Sequence, residues 1–265
     1  MNNLKLVNRI SFETFGDMDA PPVILIHGLG LCKDIWTGII PKLSKHYRVI
    51  TYDLYGHGLS APLEEKASLS VFSSQIINLL TYLEIKKAHL IGFSIGGMIN
   101  RKFAIEYPGK ILSLVILNSP HRRGVKLQQI VENRAKKVSE QGGLVTLDDA
   151  INRWFTKEFR LQFPKLVDLV VKWRKLVDLL SYAQAAEVLA FGVKELLNQD
   201  RNFTIPTLVM TCEKDSGSTP EMAQEIANDY NDSKMIIVPN LKHLGLMENP
   251  DAFVIPILKF LERKN

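Results

Sequence analysis

The chain has only two cysteines, Cys32 and Cys212, and they lie far apart in the sequence. Structural metal sites use cysteines or histidines in closely spaced pairs, so neither cysteine predicts a metal centre. One long-range disulfide is an alternative. Two free thiols fit better, because a chain of 265 residues can bury a large core without cross-links. Since free thiols persist in reducing compartments, we expect a cytoplasmic protein.

Long apolar runs are also missing. No segment approaches the roughly 18 apolar residues that a membrane-spanning helix needs, so we expect no membrane span. Residues 1–17 carry scattered charges at Lys5, Arg9 and Glu13, which is unlike a secretory signal. Hydrophobic residues make up 46% and charged residues 23% of the chain, as in ordinary globular proteins. This length suits one large domain, or a core domain with an insertion.

The positive charge is not concentrated in a dense basic run with interleaved aromatic residues, so the sequence predicts no nucleic-acid partner. Residues 120–203 contain 15 Lys and Arg against 10 Asp and Glu, so this segment holds the whole net charge of +5. Solvated, lysine-rich helices are one interpretation of this excess. The other is an attraction for anionic substrates, for which Arg122 and Arg123 are the candidates.

Short apolar runs, each typical of a strand buried on both faces, alternate with amphipathic segments. The runs cover residues 22–26, 47–52, 88–91, 114–117, 206–210 and 235–238. Residues 69–83, 94–107 and 252–261 have the spacing of helices, and residues 5–7 and 10–15 suggest an edge hairpin. Alternation of this kind predicts an α/β fold with a mostly parallel sheet.

One region interrupts the alternation, because residues 120–203 show helical patterning alone. Apolar residues at helical spacing form a long stripe between Phe163 and Leu180. A helical block between two core strands predicts a cap over the strand ends. We therefore divide the chain into a core, residues 1–119 and 204–265, and a helical cap, residues 120–203.

The clearest chemical motif is at residues 92–97, which read Gly-Phe-Ser-Ile-Gly-Gly. A bare G-x-S-x-G pattern also arises by chance. Here it follows a predicted strand and begins a predicted helix, which is the setting of a nucleophile elbow. The turn is tight enough to require glycine two residues either side of Ser94. The helix N-terminus then directs its amides at developing negative charge.

A serine nucleophile needs a base, and the base needs an orienting carboxylate. His243 follows the last predicted strand, at the sheet edge where α/β folds bind ligands, and His121 is the alternative. Asp215 and Glu213 both follow the strand at 206–210, and Asp215 lies further into the loop. Asn118 ends the preceding strand and cannot hold a negative charge. We therefore predict Ser94, Asp215 and His243 as a catalytic triad.

The oxyanion site is expected to use the backbone amides of Ile95 and Leu29. Leu29 lies in the glycine-rich loop that follows the strand at 22–26. A dinucleotide site is the alternative for this loop, but Lys33 occupies the third glycine position and no helix starts in register. The polar turn at 53–60 contains Asp53 and His57, which we interpret as structural because Asp53 precedes Ser94.

These landmarks, in this order, resemble the α/β-hydrolase superfamily along nearly the full chain. They are His27-Gly28-x-Gly30, Asp53-x-x-Gly56-x-Gly58-x-Ser60, Gly92-x-Ser94-x-Gly96-Gly97, Asp215, and His243 followed by Glu248-Asn249-Pro250. The resemblance implies the α/β-hydrolase fold, with a mostly parallel eight-stranded sheet flanked by helices and a helical cap. It also implies a serine hydrolase without a metal or other cofactor.

Within the superfamily, Met98 and residues 153–159 are similar to 3-oxoadipate enol-lactonases and related esterases. That similarity implies a small ester or lactone as substrate, with Arg122, Arg123 and Trp154 as candidate binding residues. The sequence departs from the family pattern at Cys212 and Lys242, where glycine is usual. Ser94 argues against haloalkane dehalogenases, which use aspartate at that position.

Other activities are open to the same landmarks. Carbon–carbon bond hydrolases use this triad, although Leu244 and Leu246 stand where a tryptophan is often found near their histidine. Perhydrolase or haloperoxidase-like activity also uses it, and a non-catalytic ligand-binding protein can keep the fold. The sequence does not specify an oligomeric state.

Overall fold

The computed structural model describes residues 5–197 and 204–264. Within them the chain forms an eight-stranded sheet in the order β1-β2-β4-β3-β5-β6-β7-β8. Strands β3 to β8 are parallel, and β1 and β2 add an antiparallel hairpin at one edge. The predicted mostly parallel, eight-stranded sheet is confirmed.

The strands match the predicted apolar runs, with ends that differ by a few residues. Their bounds are β1 Lys5–Val7, β2 Ile10–Phe15, β3 Pro22–Ile26, β4 Arg48–Tyr52, β5 Ala88–Phe93, β6 Ile111–Leu117, β7 Thr207–Cys212 and β8 Ser233–Val238. The central strand β5 is buried along its whole length, which explains its continuous apolar sequence.

Helices cover both faces of the sheet. Those of the core are α1 Ile40–Leu43, α2 Leu69–Tyr82, α3 Ile95–Glu106, α10 Pro220–Asn228, α11 Gly245–Glu248 and α12 Asp251–Leu261. Side chains that alternate along each strand divide between two apolar clusters. Ile24 packs with α2, α3 and α10 on one face, and Leu25 packs with α1 and α12 on the other.

Between β6 and β7 the described residues form helices and no strand. We call residues 120–197 the helical insertion. Its helices are α4 Val125–Gln141, α5 Leu147–Trp154, α6 Lys157–Gln162, α7 Pro164–Leu176, α8 Leu179–Phe191 and α9 Val193–Leu196. Residues 198–203, where the predicted cap ends, lie outside the described residues.

The apolar stripe between Phe163 and Leu180 is divided between two helices, α7 and α8. The break occurs at Val177, whose backbone is extended. Asp178 then caps α8, because its side chain accepts a hydrogen bond from the Ser181 amide at 2.8 Å. Aspartate is a favoured residue at a helix N-cap, so the break within the stripe has a local cause.

Hydrogen bonds join the helical insertion to the loop and helix that follow β8. The Leu244 amide donates to the Trp154 carbonyl at 2.9 Å, and Lys242 Nζ donates to the Asn152 carbonyl at 2.8 Å. Glu248 accepts from the amide and the hydroxyl of Thr156. None of the helices in the described part of the chain combines the length and apolar character that a membrane crossing needs.

Candidate active site

Ser94 stands at the sharp turn between β5 and α3. Its backbone has φ +57° and ψ −117°, a conformation that L-residues adopt only when the surrounding structure enforces it. The Ser94 amide donates to the Leu117 carbonyl at 2.9 Å, and its carbonyl accepts from the Gly97 amide at 3.0 Å. This geometry is that of a strand–turn–helix nucleophile elbow.

The glycines around Ser94 are required by backbone contacts. A Cβ atom at Gly92 would lie 2.2 Å from the Gly96 carbonyl oxygen, and one at Gly96 would lie 2.3 Å from the Ile26 carbonyl oxygen. Backbone atoms cannot yield like the end of a flexible side chain. The elbow therefore accommodates only glycine at these two positions, as the G-x-S-x-G spacing predicts.

Asp215 and His243 come from the loops after β7 and β8, and the structure brings them into contact. Their Oδ2 and Nδ1 atoms are 2.6 Å apart. Ser94 and His243 both line one cavity, and the His243 ring lies against Phe93 with ring centroids 5.0 Å apart. Three elements distant in sequence thus meet at the carboxyl edge of the sheet.

The Asp215 carboxylate accepts four hydrogen bonds. Oδ2 accepts from His243 and from Asn118 Nδ2 at 2.8 Å, while Oδ1 accepts from the Gly217 and Ser218 amides at 2.9 and 3.0 Å. Burial opposes ionisation, but His243 and these donors outweigh it and hold the pKa of Asp215 below its ordinary value. Because an ionised carboxylate only accepts, the neutral tautomer of His243 that this contact selects has its proton on Nδ1, which leaves Nε2 as the acceptor.

The alternative acid and base lie elsewhere. Glu213 is exposed and accepts from the Asn240 amide at 2.8 Å. His121 is buried between Glu225 and Asp229, at 2.8 and 3.1 Å from their carboxylate oxygens. Neither Glu213 nor His121 lines the cavity that contains Ser94.

Asn118 is a functional residue of this site that the sequence analysis does not predict. Its amide cannot serve as the acid, yet it donates a hydrogen bond to Asp215. The signal was its place at the carboxyl end of β6, directly beside β7 in the sheet. A side chain at that point can reach the start of the next loop.

The loop with the predicted second oxyanion donor is held by two buried histidines. Leu29 lines the cavity, while the next amide, that of Gly30, donates to His57 Nε2 at 3.0 Å. His27 Nε2 accepts from the Leu54 amide at 2.9 Å. Burial lowers the pKa of His57 to about 3 and that of His27 to about 4, so both rings stay neutral and can accept.

The turn at 53–60 has the structural character predicted for it. Asp53 is fully buried and accepts from the Lys33 amide at 2.8 Å, from Lys33 Nζ at 3.2 Å and from the Leu59 amide at 3.0 Å. Lys33 therefore neutralises the charge of Asp53, and these three hydrogen bonds occupy its carboxylate oxygens.

Small-molecule sites are concave and mostly apolar with a few polar groups, and the cavity beside Ser94 is lined by both apolar and charged residues. Core residues form one side of it and the helical insertion forms the other. Arg123 and Trp154 line it, as do Arg134 and Arg153, which were not predicted as binding residues. Arg122 is exposed and lies outside this lining. Among the described residues, no group of three or more His, Cys, Asp or Glu side chains is placed to hold a metal ion.

Comparison with known proteins gives relatives of similar length. The chain is 27% identical to the (E)-2-((N-methylformamido)methylene)succinate hydrolase of Acinetobacter baylyi, over 94% of this chain and 93% of that protein. It is also 27% identical to 3-oxoadipate enol-lactonase 2 of the same organism, over 97% and 94%. These matches confirm the predicted similarity to 3-oxoadipate enol-lactonases, and with it the prediction of a hydrolase.

Solved structures give the same fold. The enol-lactonase from Burkholderia xenovorans LB400 superposes with a TM-score of 0.86 at 24% identity, covering 98% of this chain and 99% of that one. The family model described as alpha/beta hydrolase fold matches residues 21–158, just over half of the chain. The chain therefore belongs to the alpha/beta hydrolase fold family.

Proposed function

We propose that this protein is a serine hydrolase that cleaves a small carboxylic ester or lactone through an acyl-enzyme. The observation that carries the proposal is the Asp215–His243 contact of 2.6 Å at a cavity that Ser94 lines from a strained elbow. Ser94 is the nucleophile, His243 the base and Asp215 the acid that orients it.

In the first step His243 Nε2 accepts the Ser94 hydroxyl proton while Oγ attacks the substrate carbonyl. The imidazolium that forms keeps its Nδ1 proton directed at Asp215, whose negative charge stabilises it. The carbonyl oxygen gains the negative charge, and the amides of Ile95 and Leu29 are the proposed donors to it. Gly30 is not a candidate, because its amide donates to His57.

Collapse of this intermediate breaks the bond to the alcohol oxygen, which takes the proton from His243 Nε2. An ester releases its alcohol at this point, whereas a lactone opens and keeps its alcohol attached to the acyl group. Water then gives a proton to His243 and attacks the acyl-enzyme. The acid product leaves, and Ser94 recovers its proton.

The helical insertion acts as the proposed cap, residues 120–203, and selects the substrate. Its described helices form one side of the cavity, with Trp154 as an apolar surface and Arg123 as a cation beside it. The names of relatives support a small substrate, since one is a 3-oxoadipate enol-lactonase and another hydrolyses a substituted succinate.

A fluorophosphonate probe tests the proposal, because it reacts covalently with an activated serine. We expect labelling of the wild-type protein and none of the Ser94→Ala variant. A panel of short esters, lactones and diketones then defines the bond that is cleaved. Absence of labelling in wild type would favour a binding protein. Cleavage of diketones alone, or peracid formation from acetate and peroxide, would replace ester hydrolysis by another activity.

A further inference from the structure

The helical insertion contributes three guanidinium groups to the wall of the cavity, those of Arg123, Arg134 and Arg153. They come from the segment before α4, from α4 and from α5. None of the described residues that line the cavity is an aspartate or a glutamate. The part of the cavity wall that the helical insertion forms is therefore cationic.

Arg123 is held in place by the backbone. Its guanidinium donates to the Leu189 and Ala190 carbonyls at 3.0 and 3.2 Å, and to the Gln128 side chain at 3.3 Å. Carbonyl and amide oxygens satisfy its N–H groups and leave its positive charge without a paired carboxylate. Its role is to fix a positive potential at this wall.

Arg134 and Arg153 have no such partners. Among the described residues, none forms a hydrogen bond or a salt bridge with either guanidinium. The Arg153 Nε atom is buried without a hydrogen-bond acceptor. A buried donor without a partner costs free energy, and a guanidinium presents five donors in a rigid fork that fits a carboxylate. Two guanidinium groups without a paired carboxylate thus belong to residues that line one cavity.

Electrostatic repulsion among neighbouring arginines favours the binding of an anion between them. Burial, with repulsion from Arg134, lowers the pKa of Arg153 to about 10, and burial, with repulsion from Arg101 and Arg134, lowers that of Arg123 to about 10. Asp149 and Glu132 attract these arginines but do not line the cavity, and Asp215 attracts Arg153 while bonded to His243. All three arginines stay charged at neutral pH.

We propose that this wall is a subsite for a dicarboxylate, so that the substrate carries two free carboxylates besides the ester or lactone bond. Arg134 and Arg153 each bind one carboxylate, whereas a single carboxylate pairs with only one of the two arginines. The proposal rests on Ser94 as the reacting group, because the subsite lies in the cavity that Ser94 also lines.

Three acetyl esters of secondary alcohols test the number of carboxylates. O-acetylmalate has two, O-acetyllactate has one and isopropyl acetate has none, while all three form the same acetyl-enzyme. We expect kcat/KM to be about 10- to 100-fold higher for O-acetylmalate than for O-acetyllactate, as for a charge-assisted hydrogen bond pair. Equal values, or a preference for O-acetyllactate, would overturn the proposal.

Arg134→Gln and Arg153→Gln identify the residues. Each is expected to lower kcat/KM for O-acetylmalate about 10-fold or more and to leave isopropyl acetate within about twofold. Arg122→Gln is the matched control, because Arg122 is an exposed arginine outside the cavity lining. Equal losses on the charged and neutral esters would mean that the arginines act only on the fold.

Binding to the Ser94→Ala variant separates this proposal from the proposed function. Malate, lactate and inorganic phosphate are titrated into it by calorimetry, so no catalysis is required. We expect malate to bind most tightly, and its affinity to fall with added salt. Tighter binding of phosphate, or equal binding of malate and lactate, contradicts the dicarboxylate subsite. Preferential malate binding without probe labelling of wild type would support the subsite and contradict the hydrolase.

Discussion

Replacing Asp215 with asparagine removes one negative charge and leaves the shape of the side chain almost unchanged. The carboxylate accepts two hydrogen bonds at each oxygen. Asparagine offers one oxygen and one NH₂ group, so it can accept at only one of the two positions. The outcome depends on whether the asparagine oxygen faces the Gly217 and Ser218 amides or faces His243 and Asn118.

The Gly217 and Ser218 amides are fixed donors at 2.9 and 3.0 Å from Oδ1, so we expect the asparagine oxygen to lie there. Its NH₂ group then faces His243 Nδ1, which becomes an acceptor, and the imidazole proton moves to Nε2. In that tautomer His243 cannot accept the Ser94 proton. The corresponding change in a Ser-His-Asp triad lowers kcat about 10⁴-fold, or about 5 kcal/mol at about 1.4 kcal/mol per factor of ten.

Initial rates on p-nitrophenyl acetate measure the effect, with melting temperatures to show that the fold is intact. Glu213→Gln is the matched control, because Glu213 lies on the same loop, is exposed and accepts a hydrogen bond from the Asn240 backbone amide. We expect it to stay within about twofold of wild type, as surface substitutions usually do. A folded Asp215→Asn variant within tenfold of wild type would refute the proposed acid–base arrangement.

Burial lowers the pKa of His57 in the folded protein to about 3, whereas the pKa of His57 in the unfolded chain is near 6.5. Between pH 7 and pH 5 the unfolded chain therefore gains a proton that the folded protein does not, and the free energy of unfolding falls. We expect urea unfolding to show that this free energy falls by about 2 kcal/mol less in His57→Gln than in wild type, and parallel pH profiles would contradict it. Gly96→Ala places a Cβ atom 2.3 Å from the Ile26 carbonyl oxygen, whereas Gly109→Ala meets nothing within 4 Å. We expect a lower melting temperature for Gly96→Ala alone, and equal values would disprove the steric requirement. Both cysteines are buried, so Ellman's reagent is expected to titrate them only after denaturation, and rapid reaction of the native protein would contradict this burial.

The strands could be predicted because parallel strands in the middle of a sheet are buried on both faces. The run at 88–91 has no polar face to interrupt it, apart from His89, whose Nδ1 lies 2.7 Å from the Ser113 hydroxyl. The helix α10, Pro220–Asn228, was not predicted individually, although its signals are local. Thr219 accepts from the Met222 amide at its start, and proline occupies its first turn.

Some residues of the site can be predicted from nearby sequence, whereas others are brought to it only by long-range packing. The motif at Ser94 is sufficient to find the elbow, because its glycines and its serine lie within six consecutive residues, although the Ile26 and Leu117 carbonyls that contact them are distant in sequence. Asp215 and His243 follow from chain order, because parallel strands end at one sheet edge. Of the cationic wall, the sequence predicts Arg123, which lines the cavity together with the predicted Trp154. Arg134 and Arg153 could not be predicted, since they reach the cavity through the packing of α4 and α5. Arg122, the other candidate, is exposed and lies outside the lining.

The two departures from the family pattern acquire a physical role in this arrangement. Cys212 is buried at the end of β7, just before the loop that contains Asp215, and its Sγ atom lies 3.9 Å from Asn118 Oδ1. Lys242 donates to the Asn152 carbonyl, one residue before Arg153. A glycine at position 242 would provide no such link between the loop of His243 and helix α5.

This link connects the proposed base to the proposed subsite. Lys242 and the Leu244 amide, on either side of His243, both donate to α5 at Asn152 and Trp154. The residues that they hold flank Arg153, so an anion bound there has a fixed position relative to His243. Since misplacement of a substrate by about 1 Å can cost about 10²-fold in rate, these two hydrogen bonds convert recognition of charge into alignment of the scissile bond.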